Sequence, residues 1–431
     1  MRPACALFAV HGVLDAARTV AEALPALSAR VGEGVQSAAL AVRGEEGVVA
    51  VAPDARRPGP DLRGVADTAL VRMGGDAPMV FADRSGAVAV VADGRATNAV
   101  VLRGALMARG ALFAGESLAE LLIHLVAQSE RRTFMNRMLE ALPRIEGGFA
   151  VVVLTGEFLV AARDVRGLRP LCIGRRGGGW VVASEGGALR ASGASYEREV
   201  EPGEVVVVEG AQLQSLRPFP KMAPRPCVAE WLGLAAPDAR VFGVDVVLVR
   251  ERMGAALAEA FPVRCDLVVP MPGSEALAAG FAAKSQVRAL PCLVGDVSGQ
   301  MRASAGVHGQ RVALLVNLFA SGERTRRAVA ALRVAGAAEV HIRLGAMPLI
   351  GSCVYGVVGP PTDDLLGNRF EIPRMRAWLD ADSLAHPERT TVHVVVGHDS
   401  TACCDGCFSG DYPVVPLDPQ IPLFPKPASV W

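Results

Sequence analysis

The sequence predicts two units in series, a layered α+β unit rich in antiparallel strands and then an α/β unit built on a parallel sheet. Three observations carry this. Short, mostly Val-rich runs bounded by Gly, Asp or Arg dominate residues 5–215. Strand and helix patterns alternate from about residue 250 onward. Between the two, Pro218, Pro220, Pro224 and Pro226 break every periodicity, as a linker or a crossing between domains does.

In the first unit the runs at 38–42, 87–92, 149–155, 158–162, 180–184 and 204–208 read as strands. Residues 14–24 and 117–128 carry apolar side chains at helical spacing. In the second unit, strands are expected at 266–270, 311–316 and 339–343, with helices at 250–260, 275–284 and 323–335. The expected division is 5–215, 225–372 and a tail, 373–431, with a cysteine cluster and a Pro-rich end. There is no internal repeat.

The composition narrows the classes. The 431 residues are 51% hydrophobic and 20% charged, ample for sizeable cores. Lys plus Arg equals Asp plus Glu at 44 each, so charge gives no argument for a nucleic-acid or acidic-membrane partner. No apolar run is long enough to span a bilayer. Residues 4–14 resemble a short export signal, but His11 interrupts them and Asp15 and Arg18 follow at once. They read better as a buried strand turning at Gly12. A cytoplasmic location is therefore expected, where nine cysteines are thiols or metal ligands rather than disulfides.

Three of those cysteines stand together in Ala402-Cys403-Cys404-Asp405-Gly406-Cys407. Cys404 and Cys407 form a C-x-x-C, a spacing that lets two thiolates converge on one metal or cluster. By itself the pair fits a redox couple, half a zinc site, or two buried thiols acting as small hydrophobes.

Cys404-Asp-Gly-Cys407-Phe-Ser-Gly-Asp-Tyr-Pro resembles the C-terminal cluster motif of the iron–sulfur class of glutamine phosphoribosylpyrophosphate (PRPP) amidotransferases. Two further segments match that class: Arg225-Pro226-Cys227 after the first domain and Cys353-Val354-Tyr355-Gly356 after a late strand. The resemblance implies a [4Fe–4S] cluster on Cys227, Cys353, Cys404 and Cys407, with zinc in the same cage as the second choice. It also implies the fold: an N-terminal nucleophile (type 2 glutamine amidotransferase) layered domain, then a type I phosphoribosyltransferase-like parallel-sheet domain.

In the first half, Cys5-Ala-Leu-Phe-Ala-Val-His-Gly resembles the mature start of a type 2 amidotransferase, whose terminal cysteine is the nucleophile and whose own amine is the base. That role requires removal of Met1–Ala4; without it Cys5 is a core cysteine of the first strand. The segments 93–99, 146–150, 163–171, 183–185 and 202–204 also match in order and spacing. The resemblance places Gly94 in the oxyanion hole and Arg72 on the glutamine carboxylate. The departures fall on the chemistry. Asp93 stands where the family has the Asn donor of the oxyanion hole, and losing such a donor costs about 100–1000-fold in rate. Leu118 stands where an Asp holds the glutamine amine. Met73, Gly74 and Gly75 replace the neighbours of Arg72.

The second half departs in the same way. The strand 311–316 should end in two acidic residues that contact the PRPP ribose, before a small-residue loop that cradles the 5-phosphate. This chain has Val316 and Asn317, and no acid anywhere in 312–320. Asn317, Ser321 and Gly322 are what remains of the PRPP loop, and Glu323 follows where the family has Thr. Gly273 replaces an Asp. The stretch 295–302 is short where the family has a basic lid over PRPP, and only Arg302 keeps a positive charge.

The leading expectation is thus a degenerate paralogue of an amidophosphoribosyltransferase of purine biosynthesis, impaired in PRPP transfer and in glutaminase action. A working enzyme would take glutamine and PRPP as substrates, with Mg²⁺ only if PRPP is bound. A third reading is a non-catalytic iron–sulfur sensor or partner of a true amidotransferase. The resemblance suggests a homo-oligomer; neither nucleic acid nor membrane is expected as a partner.

Overall fold

The computed structural model describes residues 6–13, 15–31, 38–44, 47–51, 67–73, 78–83, 86–295, 300–357, 361–399 and 401–417. Cys5, Met1–Ala4 and the Gly74–Gly75 pair lie outside the described residues.

Strands up to Leu216 form two antiparallel sheets. A seven-stranded sheet runs in the order Ser195–Glu199, Cys172–Arg176, Gly179–Ala183, Ala6–His11, Thr68–Met73, Ala38–Gly44, Gly47–Val51. A six-stranded sheet runs in the order Gln212–Leu216, Val205–Glu209, Phe158–Arg163, Gly147–Leu154, Gly86–Ala96, Met79–Asp83. The sheets pack face to face, and helices cover both outer faces. The Ala6–His11 strand shows why its sequence is apolar throughout. Leu7 and Ala9 enter the core between the sheets, while Ala6, Phe8 and Val10 pack under the helices Ala16–Val31 and Gly186–Ala191. Gly147–Leu154 does the same: Ala150, Val152 and Leu154 point inward, and Phe149, Val151 and Val153 meet Leu118–Ala127 and Phe134–Ala141. A strand buried on both faces loses the alternation of a half-exposed one.

The second half holds a four-stranded parallel sheet in the order Leu267–Pro270, Arg311–Val316, Glu339–Leu344, Ser383–Ala385. Val268, Ala313 and Leu315 face the helices Val246–Ala260, Glu275–Ser285 and Arg389–Val396. Val312, Leu314 and Val316 face Glu323–Val334 and Ile372–Trp378. The expected layered α+β and parallel α/β halves are both present. The expected tail contributes the fourth strand and the helix Arg389–Val396 to the second core.

Sequence periodicity did not reveal Thr68–Met73, the strand between Ala6–His11 and Ala38–Gly44. It also passed over the helices Ala99–Met107 and Phe134–Ala141. Among the described residues no helix is long and apolar enough to cross a membrane.

Candidate functional site

Three separate segments converge at the seam between the two halves. Cys227 ends the Pro-rich crossing and pairs with Cys404 as a short parallel bridge: Val228 N–H donates to Cys404 O at 3.0 Å and Cys404 N–H to Pro226 O at 2.9 Å. Cys407 sits in the one-turn helix Gly406–Ser409, and its carbonyl accepts from Ile350 and Gly351 N–H at 3.0 and 3.2 Å. Cys353 lies between two tyrosine anchors. The Tyr412 hydroxyl donates to Ser352 O at 3.0 Å, and the Tyr355 hydroxyl lies 2.7 Å from Val414 N and 2.9 Å from Val414 O.

All four cysteines line one cavity. Leu168 and Arg169 of the first half complete the wall, with Tyr355, Val357 and Tyr412 from the second. Burial pushes the Cys227 thiol up to about 12, and Glu230 and Cys353 add to it. Burial likewise raises Cys353, and burial and then Cys227 hold Cys404 and Cys407 well above the ordinary thiol range.

The donor set restricts the cofactor to one that takes thiolates. Among the described residues no three His, Cys, Asp or Glu side chains are grouped to hold a single metal ion. Zinc needs four sulfurs at about 2.3 Å from one point. A [4Fe–4S] cluster gives each thiolate its own iron and so suits four thiols arranged around a cavity. The four-thiol wall offers only sulfur donors, the ligand type of both groups.

Asp405, between the two tail cysteines, has a fully buried side chain. It accepts from Arg389 Nη2 at 2.9 Å and Ser409 Oγ at 2.8 Å, and lies 2.9 Å from His393 Nε2. Arg389 and His393 carry no motif, so the sequence reading passed over them. Their role follows only from the packing of the helix Arg389–Val396 behind the cysteine turn.

The glutaminase segment differs from its expectation at Asp93. Asp93 and Gly94 lie within the continuous strand Gly86–Ala96. The Asp93 carboxylate is buried and gripped by Arg169: Nη2 lies 2.6 Å from both oxygens and Nε 3.0 Å from Oδ2. Its charge is therefore matched by a guanidinium and does not stand bare beside a developing oxyanion. Gly94 has φ +114°, and a Cβ there would collide with Gly148 O. Arg72 lies on Thr68–Met73 opposite Leu7, with its side chain outside the described residues. Leu118 opens its helix and packs into the core under the six-stranded sheet, where it offers no acceptor for an amine.

The segment that resembles a PRPP loop has no acid between residues 312 and 320. Asn317 lies just beyond the strand Arg311–Val316, where its N–H donates to Ser274 Oγ at 3.0 Å and its Nδ2 to Gly273 O at 2.7 Å. The ends of two parallel strands are thereby joined, as at the crevice of open α/β sheets. Asn317 Oδ1 is buried without a hydrogen-bond partner. Val316 is 3% exposed and belongs to the core. Ser321 precedes Gly322, which turns at φ +75° into Glu323–Val334 and packs on Leu366, and Leu366 N–H donates to Ala320 O at 2.9 Å. Where the lid is expected, Leu293–Gly295 and Met301–Ala303 pair antiparallel, and residues 296–299 lie outside the described residues.

Comparison with known proteins follows the same lines. A family profile described as a glutamine amidotransferase domain matches residues 67–191. Amidophosphoribosyltransferase 2 (chloroplastic) of Arabidopsis thaliana is 37% identical over 367 residues, covering 80% of this chain and 65% of the relative's own length. The Glycine max chloroplastic amidophosphoribosyltransferase is 34% identical, over 97% of this chain and 80% of its own. The Bacillus subtilis enzyme is 30% identical, over 78% and 76%. The solved structure of the B. subtilis glutamine PRPP amidotransferase, complexed with ADP and GMP, superimposes with a TM-score of 0.88 at 26% identity, over 96% of this chain and 99% of that one.

Proposed function

The chain belongs to the amidophosphoribosyltransferase family, and we propose that it is a divergent member with an iron–sulfur cluster and an impaired PRPP-transfer site. The family reaction hydrolyses glutamine in the first half and uses the ammonia in the second to displace pyrophosphate from PRPP, giving 5-phosphoribosylamine for purine synthesis. The observation that carries the reading is the contrast between two sites. The four-cysteine cavity is complete, whereas the loop after Arg311–Val316 presents Asn317, already bonded to Gly273 and Ser274, where two acids are needed.

In this reading Cys227, Cys353, Cys404 and Cys407 hold a [4Fe–4S] cluster, which supplies a covalent tie between the tail, the crossing at Cys227 and the second half at Cys353. The division of the chain near 215–225, and a tail from 373, belong to the same reading. The small residues Ser321 and Gly322 retain a loop able to face a phosphate. No carboxylate from Val316 or Asn317 grips the ribose or a Mg²⁺ ion with it. In the first half, Gly94 would supply a backbone donor, Arg72 a clamp for glutamine, and Cys5 the nucleophile if Met1–Ala4 are removed. Asp93, bound by Arg169, replaces a neutral donor, so glutamine hydrolysis is weakened as well. A cytoplasmic homo-oligomer is the expected state.

The test is anaerobic purification of the full chain, with iron and sulfide analysis, an N-terminal mass and paired glutaminase and transferase assays. Iron near four per chain with phosphoribosylamine formation far below the ordinary range of about 1–10³ s⁻¹ supports the reading. Turnover within that range overturns the impairment. A second reading, a non-catalytic sensor or partner of a true amidotransferase, draws on the same intact cysteine cavity. It requires iron to be present with both activities absent.

A further inference from the structure

The Asp93–Gly94 strand and the four-cysteine cavity share one side chain. Arg169 grips Asp93 at 2.6–3.0 Å, reaches Glu230 Oε1 at 3.4 Å, and stands in the cavity wall beside Cys227 and Cys353. The three charged side chains are buried to 2% exposure or less. One guanidinium therefore meets two carboxylates and acts on the Cys227 and Cys353 thiols, with little water to screen it.

The backbone supports the same link. The Asp164 carboxylate accepts from Leu168, Arg169 and Phe149 N–H at 3.1, 3.3 and 3.2 Å, and Phe149 is the cross-strand partner of Gly94. Gly356, three residues after Cys353, lies so close to Gly94 that an added Cβ would stand 3.0 Å from its carbonyl carbon. A guanidinium and a backbone contact thus join the strand to the cavity.

We propose that Arg169 is a positioning residue that couples the state of the four-cysteine cavity to the Asp93–Gly94 strand, with Asp93 setting how much of the guanidinium charge acts on the cavity. This rests on the reading that the cavity holds an iron–sulfur cluster. Reduction adds negative charge to a cluster, and nearby net charge tunes its potential. A cation beside it favours the reduced form, and Asp93 offsets that cation.

The experiment uses the full chain, reconstituted with iron and sulfide, as wild type, Asp93→Asn and Arg169→Lys. Redox titration and hydrogen–deuterium exchange over residues 90–98 are read together. Asp93→Asn keeps the shape and removes the charge, so the reduction equilibrium shifts toward the reduced form by tenfold or more, about 59 mV upward for one electron. Arg169→Lys keeps the charge and loses the planar fork. It leaves the potential near wild type but accelerates exchange at 93–95 by about tenfold, the equivalent of about 1.4 kcal/mol. Loading wild type with the cluster slows exchange in that segment. A merely structural role for Asp93 would not move the potential. Iron uptake with an unmoved potential in Asp93→Asn, or exchange indifferent to loading, overturns this inference alone. A chain that takes up no iron overturns the cofactor reading and this inference with it.

Discussion

Replacing Gly94 by Ala tests how tightly the strand is wedged. Gly86 and Gly94 lie on one strand at nearly the same positive φ, +119° and +114°. An added Cβ meets nothing within 4 Å at Gly86, whereas at Gly94 it is driven into Gly148 O and stands 2.8 Å from Phe149 Cα. Gly86→Ala therefore isolates the backbone strain, about 1–3 kcal/mol. Gly94→Ala adds overpacking of about 1–3 kcal/mol, because backbone atoms, unlike a side chain, cannot rotate aside. The two variants should differ by that second amount. Urea midpoints by pulse proteolysis, following fragments of the first half, read the difference. With an m-value near 3 kcal/mol/M it is on the order of 0.5 M. Equal midpoints for the two variants would refute the wedge, because the strand would then have relaxed away from Gly148.

Other consequences are open to measurement. Cys353→Ala or Cys404→Ala should remove most bound iron and the visible absorption, while Cys265→Ala, a core thiol away from the cavity, should retain both. Leu366→Ala empties a fully buried position against the Ala320–Gly322 turn and should cost about 2–5 kcal/mol, seen as a lowered denaturant midpoint. Burial raises the Glu204 carboxyl, but hydrogen bonds from Arg198, Ser215 and the Glu201 N–H, with the Arg198 charge, together outweigh it and its folded pKa is lowered. Its stabilisation is thus present above the unfolded value of about 4.3 and lost as pH falls toward the folded one, because the unfolded chain binds the proton first. Glu204→Gln should flatten the fall in stability over that window, measured as urea midpoints between about pH 3 and 6.

Much of the fold was legible because its strands and helices announce themselves locally. Residues 311–316 coincide with a strand and 323–335 nearly with a helix, since each is a short apolar or amphipathic run between glycines. Thr68–Met73 escaped because its six residues include Arg72 and follow a long Gly, Pro and Asp-rich stretch. Only its pairing with Ala6–His11 and Ala38–Gly44 makes it a strand. The cysteines were legible as a set because three motifs named them. Arg169 lay in a segment already singled out, yet its partner Asp93 is 76 residues away, and nothing local links them. For that reason the sequence showed Asp93 only as a lost oxyanion-hole donor, and its buried pairing with Arg169 came from the structure.

On the proposed reading, the same geometry gives a cluster site a reason to outlast the chemistry beside it. Val316 is packed in the core, so restoring an acid there would bury a carboxylate, which is costly without a partner. The PRPP loop can therefore drift while the sheet beneath it stays sound. The cysteine cavity has no such freedom. Its walls come from the first half through Arg169, from the crossing through Cys227, and from the tail through Cys404 and Cys407. The Cys227–Cys404 bridge ties the crossing to the tail through the backbone, and the Tyr355 hydroxyl ties the Cys353 segment to the tail at Val414. Losing one thiol would open a seam shared by both halves, a penalty in folding rather than in turnover, so a chain relieved of its reaction still has physical reason to keep all four.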